Sequence, residues 1–209
     1  MLKAYKTVLR EWETEFTEKR SRFIGHCFPA ESEEQALQLL NSMRKRYADA
    51  THNCWAYNIV GGLMRFSDDG EPSGTAGMPI MDTLIRRDIQ NAIVVVTRYF
   101  GGILLGTGGL VRAYSKAASE AVVGAGVGIM TPCTVAEFAV DYARYGGIEG
   151  YVKTSSIVDS IDFLENVRFR VTLPTEGFPQ FTANIIEKTD GRVCPKQVSE
   201  RLVVVPCGE

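Results

Sequence analysis

The chain of 209 residues is 45% hydrophobic and 23% charged, the balance of an ordinary globular protein with room for one large domain or two small ones. Residues 1–131 carry 15 basic and 14 acidic residues and residues 132–209 carry 8 and 11, so neither part has the broad positive excess of a composition-driven nucleic-acid binder. No apolar run approaches a membrane span and Met1-Leu-Lys-Ala-Tyr-Lys-Thr7 lacks a signal-peptide core, which predicts a cytoplasmic protein with no membrane partner. Five scattered cysteines, Cys27, Cys54, Cys133, Cys194 and Cys207, show no Cys-x-x-Cys spacing and argue against a disulfide framework or a zinc site. Most are expected to be small buried apolar groups.

Taken in order, Tyr5–Phe16 reads as an edge strand carrying Trp12. Lys19-Arg20-Ser21-Arg22 then sets three cations before a strand over Phe23–Phe28; the cluster is either a solvated turn or the rim of an anion site. Ser32-Glu33-Glu34-Gln35 has the form of a capping box. Ala36, Leu39, Leu40, Met43 and Tyr47 follow at helical spacing, predicting a helix over 32–48 with Arg44-Lys45-Arg46 at its negative end. Thr51–Val60 alternates Trp55, Tyr57 and Ile59 with smaller residues and reads as a strand. His52, just before it, is a structural hydrogen-bonder, a general base or a metal ligand; His26 is the other histidine, so a multi-histidine metal site is excluded.

Phe66–Gly77 gathers Asp68, Asp69 and Glu71 among hydroxyls and glycines. It can be a turn in which Ser73 or Thr75 caps a helix over Gly77–Arg87, with Met78, Met81, Leu84 and Ile85 inward. It can instead pair Asp68 or Glu71 with the arginines further on, or hold a hard cation, although the spacing is not that of an EF-hand.

The chain is organised around Thr97–Lys116. It follows the β-branched run Ala92–Val96, which reads as a strand buried on both faces. Five glycines come next, Gly101, Gly102, Gly106, Gly108 and Gly109, and then a helix whose apolar face runs from Leu110 to Val122, with Gly124 as its stop. Such a loop lets backbone approach a ligand, and the free N–H groups of Thr107, Gly108 and Gly109 at the helix start attract anions. Arg98 and Arg112 stand at the two ends and can grip phosphate or carboxylate with two prongs. The spacing is neither that of a dinucleotide fingerprint nor that of a P-loop, and a tight strand-to-helix turn is the alternative reading.

Beyond Gly124–Gly128 and Pro132 the pattern restarts. Strand Val135–Tyr142, helix Tyr145–Ser155, strands Ile157–Leu164 and Val167–Leu173, a helix opened by Pro179 and ended by Asp190-Gly191, and strand Leu202–Val205 give the order βαββαβ, a ferredoxin-like sandwich. The predicted class is α+β with two domains, 1–131 and 134–209.

Four blocks carry a resemblance: Ser21-Arg-Phe-Ile24, Thr51-His-Asn-Cys-Trp-Ala-Tyr57, Asp68-Asp-Gly-Glu-Pro-Ser-Gly-Thr-Ala-Gly77, and Val96–Gly102 continued by Gly106–Tyr114. Together they resemble the IMPACT family, also called the YigZ family in bacteria, over roughly residues 17 to 125, and the remainder resembles the small C-terminal domain of the bacterial members. The resemblance implies a first domain folded like the second domain of a small-subunit ribosomal protein and a second like a ferredoxin sandwich, a pair that recurs at the end of elongation factor G. It also implies a role near translation. Eukaryotic relatives restrain an amino-acid-starvation kinase by competing for its activator protein, and bacterial members have a suspected contact with nucleic acid or the ribosome. It supplies no catalytic residues.

The expected function is therefore a non-enzymatic binding or regulatory protein of the translation apparatus. Its partner would be RNA, the ribosome or a translation-related protein, met through the glycine-rich loop and its flanking arginines. A phosphate- or metal-dependent enzyme using Asp68, Asp69 and Glu71 with His52, and a purely protein-interacting regulator, are the alternatives. No cofactor or metal is predicted, and nothing in the sequence sets an oligomeric state.

Overall fold

A computed structural model of the chain describes residues 2–206; Cys207 lies outside them. Tyr5–Ile129 and Met130–Val203 form two compact units.

In the first unit, the stretch expected to be one edge strand is two, β1 (Tyr5–Val8) and β2 (Trp12–Glu18). Leu9 breaks the run by donating its N–H to the Gly126 carbonyl, and Lys6 bridges in parallel to Ile89. β3 (Ser21–Pro29), α1 (Glu33–Arg46), β4 (His52–Ile59), β5 (Leu63–Ser67), α2 (Gly77–Arg86), β6 (Ala92–Tyr99) and α3 (Thr107–Ala125) follow. The sheet order is β2-β3-β6-β4-β5, and its pairings are antiparallel.

This sheet is covered on both faces, which is why its central strand has no polar alternation. Ile93 and Val95 of β6 pack with Leu40 and Met43 of α1. Ala92, Val94 and Val96 pack with Ile80 and Leu84 of α2 and with Leu110, Tyr114 and Ala118 of α3. Burying a side chain of this size contributes about 1.5–3 kcal/mol, so β6 anchors both layers.

Helix ends follow local chemistry. The Ser32 hydroxyl accepts from the Gln35 N–H at 3.2 Å, and the Gln35 side chain reaches back to the Glu31 N–H at 2.8 Å. α3 runs through Gly124 and stops at Gly126, which takes φ 72°, so the stop lies two residues later than the first glycine suggested. α2 differs more. Neither Ser73 nor Thr75 caps it. The Asp68 carboxylate, from the preceding loop, accepts from Ala76 and Gly77 at 3.0 and 2.8 Å and from Gly74 at 2.9 Å. Its inward residues are Pro79, Ile80, Met81, Thr83 and Leu84, while Met78 and Ile85 are exposed.

The second unit holds β7 (Val127–Val140) from Met130 onward, α4 (Tyr142–Ser155), β8 (Ile157–Phe163), β9 (Val167–Pro174), α5 (Phe178–Lys188) and β10 (Lys196–Pro206) up to Val203. β7 lies between β9 and β10, with β8 beyond β9, the antiparallel βαββαβ arrangement. Tyr142 is helical rather than the end of a strand, because Asp141 caps α4 and accepts from the Arg144 N–H at 3.0 Å. Phe138, Phe169, Phe181, Ile148 and Ile185 form its core. Cys27, Cys54 and Cys133 are buried free thiols and Cys194 is exposed.

Candidate functional site

Strand β4 places His52, Asn53 and Cys54 side by side, and the 68–76 loop folds over them. The Asp69 carbonyl lies 2.7 Å from His52 Nδ1. A carbonyl only accepts, so Nδ1 carries a proton. The Asp69 carboxylate accepts from the Asn53 N–H at 2.7 Å and lies 3.6 Å from Arg44, and the Cys54 thiol lies 3.0 Å from the Asp68 carbonyl. Asp68 and Asp69 are therefore engaged with backbone and hold the loop's shape.

Glu71 turns inward. Its Oε1 accepts from Arg98 Nη1 at 2.6 Å and from the Tyr114 hydroxyl at 2.8 Å, and lies 3.9 Å from His52 Nε2. The Glu71 and Arg98 side chains are 3% and 6% exposed. Arg98 Nη2 also donates to the Ser21 hydroxyl at 3.2 Å, its guanidinium lies over the rings of Phe23 and Phe100, and its Nε–H has no acceptor among the described residues. Burial raises the pKa of the Tyr114 phenol, and the thiol and Glu71 beside it add to this. The Cys54 thiol is likewise raised, chiefly by burial. Tyr114 is thus a fixed neutral donor, and Cys54 has no thiolate character for nucleophilic attack.

Three of the five loop glycines have a definite backbone task. A Cβ on Gly101 would lie 2.0 Å from the Arg20 carbonyl, and Gly102 and Gly106 sit at φ 83° and 72°, Gly106 immediately before α3. Among the described residues no side chain caps that helix, so the first-turn N–H groups of Thr107, Gly108 and Gly109 have no side-chain acceptor among them.

The residues singled out from the sequence divide into two groups. His52, Glu71, Arg98, Gly106 and Thr107 line one cavity of about 430 Å³, walled by Phe100, Leu104 and Leu110. Gly109 and Arg112 line another, of about 250 Å³, with Phe16, Lys19 and Lys116. Gly101 donates its N–H to the Ser21 hydroxyl, and Gly102 and Ser73 are exposed. The arginines differ: Arg98 is inside and paired, whereas Arg112 is exposed and has no ion-pair partner among the described residues. Tyr114 and Ser21 complete the Glu71–Arg98 cluster although neither was singled out. Tyr114 falls on the apolar face of α3, and a buried phenol there needs an acceptor, which is the signal that could have found it.

Residues 19–122 match the Impact N-terminal domain family and residues 138–192 match a domain of unknown function, DUF1949. The chain is 37% identical to the IMPACT family member YvyE of Bacillus subtilis over 92% of its own length and 90% of that protein's. The chain belongs to the IMPACT family. It is also 36% identical to the family member YigZ of Escherichia coli, over 83% of this chain and 87% of that one. Protein IMPACT of Danio rerio is 39% identical over 43% of this chain and 30% of its own. A crystal structure described as that of a hypothetical protein superposes with a TM-score of 0.61 at 30% identity, covering 95% of this chain and 99% of the other. Among the described residues, no helix is long and apolar enough to cross a membrane.

Proposed function

We propose that this IMPACT family member is a non-enzymatic binding protein of the translation apparatus that docks RNA on the hollow beside the start of α3. The observation that carries the reading is the set of cations there. Lys19, Arg112 and Lys116 outnumber the single carboxylate, Glu18, in the lining of one hollow, next to a helix start whose dipole favours anions. Lys19 and Arg20 make the β2–β3 turn with φ 46° and 63°, a conformation that costs a non-glycine residue about 1–2 kcal/mol. That strain is retained in a turn that sets Lys19 in the wall of the hollow. Arg98 contributes nothing to this surface, because its charge is answered inside by Glu71. Within an overall charge of −2, the attraction is local and acts at short range.

A protein partner is the second reading. Phe100, Ile103 and Leu104 are exposed on the same loop, Leu104 by 81%, and apolar groups grouped on a surface favour protein contact. Ribosome sedimentation and RNA filter binding at low and high salt separate the two. RNA docking requires binding that weakens as salt rises and an Arg112→Ala variant whose log-affinity slope against log salt falls by about one. Absence of RNA and ribosome binding at low salt, or an unchanged slope, overturns it; salt-insensitive binding reduced by Leu104→Ser selects a protein partner.

A further inference from the structure

The cavity of His52, Glu71 and Arg98 is separate in its chemistry from the basic hollow: Arg112, Lys19 and Lys116 are not among its lining residues. Its volume of about 430 Å³ lies in the range of small-molecule sites, which combine apolar walls with a few convergent polar groups. The walls are Pro72, Phe100, Leu104, Leu105 and Leu110. Three polar features meet between them. First, the start of α3, Gly106-Thr107, opens into the cavity with no side-chain cap. Second, His52 presents Nε2 while Nδ1 is fixed by the Asp69 carbonyl. Third, Arg98 stands in the lining as a side chain 6% exposed, held by Glu71 and Ser21, its Nε–H buried and without an acceptor among the described residues.

A buried ion pair is a poor source of stability, since desolvation offsets most of its attraction. The Arg98–Glu71 pair nevertheless stands in the lining of an apolar-walled cavity, held by Ser21 and Tyr114. There the guanidinium cancels the Glu71 charge, so an arriving anion meets no net repulsion from the lining. Positive potential is left to the helix start, where Gly106 and Thr107 line the cavity and the first-turn N–H groups lack intrahelical partners.

We propose that this cavity binds a small molecule that joins an oxyanion, phosphate or carboxylate, to an apolar body. The oxyanion sits on the N–H groups at the start of α3, a polar group beside it meets His52 Nε2, and the body lies against Phe100 and Leu104. The inference does not depend on RNA docking at Arg112.

The chain has two histidines and His26 is buried, so imidazole NMR signals of the intact protein report His52 once a His26→Phe variant assigns them. Phenyl phosphate, phenylacetate, inorganic phosphate and acetate are titrated separately. One of the two aryl probes should shift the His52 ring signals and bind at least roughly tenfold more tightly than its bare anion; which one does so identifies the oxyanion. Thr107→Glu places a carboxylate at the first turn, which suits the helix dipole and preserves the fold while occupying the same N–H groups. It should weaken the probe by roughly tenfold or more, and Arg112→Ala should leave probe binding unchanged while lowering RNA affinity. The proposal is overturned if neither aryl probe moves the His52 signals at millimolar concentration, if the bare anions bind as well as the aryl ones, or if Thr107→Glu binds the probe like wild type.

Discussion

Replacing Glu71 by Gln removes one charge and keeps the side chain's shape. The amide oxygen can still accept from Tyr114 and Arg98, the two donors that lie 2.8 and 2.6 Å from Oε1. What changes is electrostatic: a guanidinium 6% exposed is left without a counter-charge. Breaking a buried pair by removing one partner costs about 3–5 kcal/mol, and the retained hydrogen bonds put Glu71→Gln near the lower end, about 3 kcal/mol. At about 2–4 °C per kcal/mol for a chain of this size, the midpoint should fall by roughly 6–12 °C. The double variant Glu71→Leu with Arg98→Met removes both charges, and its loss should stay under about 2 kcal/mol. Both tryptophans, Trp12 and Trp55, lie in the first unit, so urea unfolding followed by tryptophan fluorescence reads that unit directly. A Glu71→Gln loss below about 1 kcal/mol, or a double variant as unstable as the single one, would show that water reaches the guanidinium and refute the reasoning.

Acid sensitivity should centre on His26, which is 2% exposed. Burial lowers its pKa from 6.5 to about 4, with Glu13 opposing and Arg46 assisting. The unfolded chain therefore gains the proton first, and stability complete above pH 6.5 is lost as pH falls toward 4, by about 3 kcal/mol in all; His26→Phe should flatten urea-midpoint profiles across that window. Asp68→Ala leaves the N–H groups of Gly74, Ala76 and Gly77 without their acceptor and should cost about 1–3 kcal/mol in urea unfolding, with faster amide exchange at the start of α2.

Most of the fold could be read because its signals are local. The Ser32–Gln35 box, the β-branched run of β6 and the alternation of β9 each report their own element. Errors fell where a distant group decided. α2 is capped by Asp68 from eight and nine residues upstream, so the adjacent Ser73 and Thr75 give no sign of the cap. Its apolar residues also exceed what one face can bury, which left Met78 and Ile85 outside. The site was visible as a set of residues but not as a partition, because a loop's sequence says which groups are near in the chain and not which cavity each one faces.

The two arginines illustrate what stricter periodicity would have settled. Arg98 is two residues from Val96 and four from Val94, so on a strand it shares their face, and that face packs against α2 and α3. A guanidinium in that phase must be buried, and a buried guanidinium requires a carboxylate. Of the loop carboxylates, Asp68 and Asp69 are held by backbone N–H groups, and Glu71 alone of the three reaches Arg98. Arg112 falls outside the buried stripe of Leu110, Ala113, Tyr114 and Ala117 on α3, so helical phase puts it in water. Equal distance from the glycines made the pair look equivalent. The different periods of strand and helix give one arginine to the interior of the cavity wall and leave the other free for a partner, which is why a single substitution at Arg112 can test docking without disturbing the fold.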